Sequence, residues 1–142
     1  EKNLELLSRA YLAAKEDDKA ITVLAQLSDM VEQGNYDALL AQTYLNSEKW
    51  KLAITYADKA IVKATKIARE NDDKQIHYLG NMYLAKGMAN FNLKHFDKSL
   101  NAFAKAVDQS KTKKAAQQWT KYVEREKENY RQQKQVRLAM LN

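Results

Sequence analysis

Along this chain, small residues and large apolar residues recur three times in one spacing, which fits a pair of packed helices. The first copy runs through Leu7, Ser8, Tyr11, Ala20, Leu24 and Leu27. Thirty-three residues later the same pattern gives Leu40, Ala41, Tyr44, Ala53, Ala57 and Ala60. A further shift of 46 gives Lys86, Gly87, Asn90, Ser99, Phe103 and Ala106. Two positions are small in every copy: Ser8/Ala20, Ala41/Ala53 and Gly87/Ser99. Helices approach closely where facing side chains are small, and larger neighbours fill the space beside that contact. The periodicity predicts helices at about 2–15, 17–32, 36–46, 49–69, 74–92 and 96–109, with a last one from 112 toward 139. Asp17 or Asp18 is the expected N-cap of the second helix. Gly34-Asn35, Ser47-Glu48, Asn71-Asp72-Asp73 and Leu93-Lys94-His95 punctuate the rest.

A helix–turn–helix unit of about 34 residues built this way resembles the tetratricopeptide repeat (TPR). The expected fold is all-α: a TPR-type right-handed α-solenoid of three helix pairs plus a C-terminal capping helix. It forms one domain over 1–142, with repeats at about 1–34, 35–72 and 73–110 and the cap at about 112–140. The 46-residue shift leaves about 12 residues beyond the repeat norm, around 61–79. Both flanking helices are expected to lengthen, with Ile61, Ile67, Ile76 and Leu79 packing across the extended hairpin.

Composition agrees with helices and against strands. There is no Pro, no Cys and only three Gly, and Ala, Leu, Lys, Glu and Gln dominate long stretches. Without Cys there are no disulfides or thiolate metal ligands, which suits the periplasm or the cytosol. No apolar run reaches the roughly 18–20 residues that span a bilayer. The chain opens at Glu1 within a predicted helix, so it is read as a fragment or a mature form. The net charge of +6 is uneven: residues 111–142 hold nine Lys/Arg and three Glu, and account for all of it. The same segment carries an apolar stripe of Ala115, Trp119, Tyr122, Val123 and Tyr130, suited to covering the third repeat. Its basic end past Tyr130 is expected to project into solvent. The aromatics are better used in that cap than on bases, so nucleic acid is not the expected partner.

Candidate chemistry is sparse. His77 and His95 lack any metal-binding spacing. Glu124/Glu128 and Asp72/Asp73 sit among other charges, as solvated faces and helix ends do. Gly80 and Gly87 lie within a helix rather than in a phosphate loop, and none of the serines has a His–Asp constellation. The expectation is a non-enzymatic protein with no cofactor, no metal and no small-molecule substrate.

The TPR resemblance places the concave face on the first helix of each pair. Carried onto this sequence, it implies partner contacts from Arg9 in the first repeat, Gln42, Leu45 and Asn46 in the second, and Leu84, Met88, Phe91 and Asn92 in the third. Asn46 and Asn92 fall at equivalent positions, and an Asn amide can both donate to and accept from a peptide backbone. Phe91 has a competing use as core, replacing the aromatic missing at Asn90, and the Asn pair has one as caps of the neighbouring turns. The clamp by which some TPR domains hold a chaperone's C-terminal carboxylate is not matched: its places hold Glu5, Arg9, Leu39, Asn81 and Ala85.

Three segments carry a narrower resemblance: 3–21 (NLELLSRAYLAAKEDDKAI), 40–54 (LAQTYLNSEKWKLAI) and 87–127, which includes FNLKHFDKS and KKAAQQWTKYVEREK. They look like the C-terminal part of periplasmic TPR proteins associated with TonB/ExbB/ExbD systems of gammaproteobacteria. The chain departs from that pattern around 61–78, where a shorter Gly/Pro-containing connection is the norm. The resemblance implies a periplasmic adaptor of a TonB-dependent uptake system. The alternative is a general TPR assembly factor or a chaperone-like peptide-binding module in the cytosol.

Overall fold

The computed structural model describes residues 1–71 and 75–142, and all regular structure among them is helical. The helices are α1 (Lys2–Ala13), α2 (Asp17–Met30), α3 (Asn35–Asn46), α4 (Trp50–Glu70), α5 (Leu79–Asn92), α6 (Phe96–Val107) and α7 (Lys113–Leu141). Each packs against the next in the chain, and α3 also touches α5. None of the described helices is long and apolar enough to cross a membrane.

Three pairs, α1–α2, α3–α4 and α5–α6, are closed by one and the same turn. Lys15, Glu48 and Lys94 adopt left-handed backbone, with φ of 59°, 60° and 62°. The next N–H in each turn donates back across it, Glu16 to Tyr11 O, Lys49 to Tyr44 O and His95 to Asn90 O, at 2.8, 2.9 and 2.8 Å. Lys15, Glu48 and Lys94 donate to the carbonyls of Leu12, Leu45 and Phe91 at 3.1, 3.1 and 2.9 Å. This double bond pattern is a Schellman motif, which usually places Gly at its left-handed position. A side chain there costs roughly 1–2 kcal/mol. The three turns recur at the spacing of the sequence pattern.

The expected Asp17/Asp18 cap is corrected by this turn. Glu16 holds the N-cap position of α2, with no side-chain cap bond, and its carbonyl accepts from Ala20 N–H at 3.0 Å. Asp17 and Asp18 lie in the first helical turn, where their charge favours the positive end of the helix dipole.

The six small positions are all buried: Ser8, Ala20, Ala41, Ala53, Gly87 and Ser99. The third pair is bonded across this contact. Ser99 Oγ donates to Gly87 O at 2.7 Å across the contact, and a Cβ on Gly87 would lie 2.5 Å from the Phe103 ring. Three apolar clusters follow one another along the helix pairs. Val23, Leu24, Leu27 and Leu40 form the first. Ala38, Ala41, Ala57, Ala60, Ala64, Tyr78 and Met82 form the second. Phe103, Ala106, Ala116 and Val123 form the third, with Trp119 of α7 against it.

The additional length of the middle connection is distributed differently from the expectation. α4 is long, at 21 residues, but α5 starts at Leu79 and has 14. The predicted Asn71-Asp72-Asp73 tip and the predicted helix start at 74 lie largely outside the described residues. The segment before α5 is held by packing. Tyr78 is buried, and its hydroxyl accepts from Gly34 N–H at 3.2 Å. Gly34 admits that approach because a Cβ there would stand 2.5 Å from the same hydroxyl. Ile61, Ile76 and Leu79 pack against the second cluster. Ile67 faces elsewhere, along a groove beside the C-terminal end of α2.

Candidate functional site

The eight face residues expected from the sequence divide into two groups. Arg9, Gln42, Asn46 and Asn92 are exposed. Arg9 pairs with Glu5 one helical turn earlier. Gln42 Nε2 donates to Asn46 Oδ1 at 2.9 Å, which leaves the Asn46 NH2 group unpaired among the described residues. Asn92 Nδ2 donates to Met88 O at 2.8 Å, within its own helix. Leu45 is half-buried beside them.

Leu84, Met88 and Phe91 belong to the second group, for they pack against the third cluster. The Phe91 ring lies 6.1 Å from Phe96, 6.1 Å from Trp119 and 5.3 Å from Tyr122, centroid to centroid. Trp119 in turn stacks on Phe103 at 5.4 Å and 10°. Phe91 is therefore placed in packing with the last helix, and of the four face residues expected on α5 Asn92 is the exposed one. α7 is held by Ala116, Trp119 and Val123, while every residue from Arg131 to Asn142 is exposed.

Adjacent first helices are tied at their N-terminal ends. The single O–H of Tyr36 on α3 is shared between Glu5 of α1 and Glu1 at the N-cap of α1, at 3.2 and 3.3 Å. Burial, the hydrogen bond to Glu5 and the charges of Glu5 and Glu1 push the Tyr36 phenol up to about 12. It stays a donor throughout the physiological range.

One charged cluster has no counterpart in the sequence expectations. Asp37, fully buried at the start of α3, accepts from Ser28 Oγ of α2. Lys63 of α4 lies 2.6 Å from the other carboxylate oxygen, an ion pair outside hydrogen-bond alignment. The same ammonium donates to Ser28 O and Val31 O at 2.8 and 3.3 Å. It thus serves the C-terminal carbonyls of α2, where a cation is favoured. Every group in this cluster is spent on another, so it reads as a clasp rather than a reactive centre. Asp37 and Lys63 are 26 positions apart, a separation that no helical periodicity marks.

A scan against protein-family models and a search of curated proteins both returned no match.

Proposed function

We propose that this chain is a non-enzymatic protein-binding scaffold, a TPR-type right-handed α-solenoid that holds an extended segment of a protein partner along α1, α3 and α5. The observation that supports it best is the threefold recurrence of one left-handed turn and one small-residue contact. Units repeated in this way stack on their neighbours and leave a long surface. Arg9, Gln42, Asn46 and Asn92 offer donors and acceptors there, with Leu45 as apolar contact. Leu84, Met88 and Phe91 support that surface from the α7 side. The narrower reading, carried by the sequence resemblance, is a periplasmic adaptor whose partner is a component of a TonB-dependent system.

The test is the double substitution Asn46→Ala/Asn92→Ala, compared with the unmodified chain in capture from a bacterial envelope extract. Both amides are exposed, so folding should survive. Each lost hydrogen bond is worth about 0.5–1.5 kcal/mol, and the pair should weaken capture about tenfold or more. Recovery of TonB, ExbB or ExbD by the unmodified chain alone supports the adaptor reading. Equal recovery by both proteins removes the partner from this face. Capture of unfolded polypeptides with no preference for these components favours the chaperone-like alternative.

A further inference from the structure

Between α4, α5 and α6 lies an open groove of about 490 Å³ lined largely by polar side chains. Its origin is visible in the repeat. One pair earlier, the equivalent space is filled by Tyr44 stacked on Tyr56, ring centroids 5.6 Å apart, in one apolar cluster with Leu40 and Ile21. The positions that correspond to Tyr44 and Tyr56 are Asn90 and Ala102, and both line the groove. Leu40 becomes Lys86, Leu52 becomes Lys98 and Asp18 becomes Lys51 at the same register, while Lys105 matches Lys59. The substitutions remove two rings and add three positive charges on one unchanged backbone plan.

Asp58 offsets one of these cations, pairing with Lys86 at 2.7 Å. Lys51, Lys98 and Lys105 have no carboxylate within ion-pair reach among the described residues; Lys105 lies over the Tyr83 ring, 5.7 Å from its centroid. Asn90 is buried, with an amide N–H donated to Lys86 O at 2.9 Å, and Asn101 adds a second amide at the rim. Lysines are flexible point charges suited to carboxylates or phosphates. Nucleic acid would call for a row of stacking aromatics along a longer basic track, whereas here Tyr44 and Tyr56 have no ring counterparts and Tyr83 is already covered by Lys105. We propose that the α4/α6 groove binds an acidic peptide segment, its carboxylates taken by Lys51, Lys98 and Lys105. The site shares no residue with the α1/α3/α5 face and does not depend on that assignment.

The probe is fluorescently labelled hexaglutamate, followed by anisotropy, with hexaglutamine and inorganic phosphate as competitors. Expected is binding that weakens with added salt and that neither competitor displaces. Lys98→Gln/Lys105→Gln should lower affinity about tenfold, with unchanged circular dichroism. Asn90→Tyr/Ala102→Tyr, which rebuilds the filled groove of the preceding pair, should abolish it. Lys134→Gln/Arg137→Gln removes the same charge from the exposed end of α7 and should change affinity by less than about twofold. Absence of binding overturns the proposal. So does an equal loss in the α7 variant, which would make the attraction one of net charge, and so does displacement by phosphate, which would leave only an anion site. If the tyrosine variant fails to fold, the lysine pair alone decides.

Discussion

The middle and last helix pairs share a backbone plan and differ in where they keep their aromatic rings. In α3–α4, Tyr44 points into the space between second helices and stacks on Tyr56. In α5–α6 that position is Asn90, and the ring sits one residue later, at Phe91. One residue turns a side chain by about 100° around a helix, which carries Phe91 to the α7 side and into contact with Trp119 and Tyr122. The last pair is sealed on one flank by α7 and left open on the other. The middle pair is closed by its own tyrosines and by the Asp37–Lys63 clasp. A repeat can thus exchange closure for an opening by moving one ring a single position and dropping its stacking partner, here Ala102, without altering the turn.

The largest effect should come from the clasp. Lys63→Met leaves the Asp37 carboxylate buried without its cation, which should cost about 3–5 kcal/mol, or a fall in melting temperature of roughly 2–4 °C for each kcal/mol. Asp37→Asn/Lys63→Met should recover most of the loss. A single variant within about 1 kcal/mol of the parent would mean that the middle pair does not rely on the ion pair. Trp119→Ala tests the corresponding seal on the last pair. Half-buried, Trp119 should lie near the lower end of the usual range, about 3 kcal/mol, and urea unfolding at two protein concentrations measures it. An unchanged midpoint would make α7 a free arm.

Gly87→Ala sharpens the contrast between the small contacts. Alanine favours helix by about 1 kcal/mol, but its methyl group would press on the Phe103 ring, and overpacking costs about 1–3 kcal/mol. A net loss of about 1 kcal/mol is expected, read from the same unfolding curves. A gain in stability would show that the ring yields easily. The smallest change should be the same in both pairs. Glu48→Gly and Lys94→Gly relieve left-handed strain and should each stabilise by up to about 1 kcal/mol. Unequal shifts would break the equivalence of the two turns.

Much of the helical plan was legible in the sequence, because small residues, turn residues and apolar spacing are local signals. α3, α4 and α6 begin within one residue of their predicted starts. The start of α5 was not legible: residues 75–78 contain neither Gly nor Pro, and that segment is held by long-range contacts, the bond of Tyr78 to Gly34 and the packing of Ile76 and Tyr78 in the second cluster. The face residues were legible as register positions, but their exposure was not. Leu84, Met88 and Phe91 look alike whether they line a groove or meet a helix that arrives about thirty residues later. Asn90 stood out as a missing aromatic. The opening it creates depends also on Ala102, a position outside the pattern of small and large residues.

The Ser28–Asp37–Lys63 clasp has a consequence for how the chain comes apart. In a stack whose units touch only their neighbours, cooperativity depends on the strength of the interfaces between units. The clasp joins the end of α2, the start of α3 and the middle of α4, and so crosses the boundary between the first pair and the second. Opening the first pair takes the Ser28 hydroxyl from Asp37 and the Ser28 and Val31 carbonyls from Lys63, so partial unfolding from that end also loosens the bonds that hold α3 to α4. Amides across α2, α3 and α4 should therefore exchange with solvent as one block with a shared opening free energy. The exposed end of α7 should exchange residue by residue, frayed from Leu141 inward.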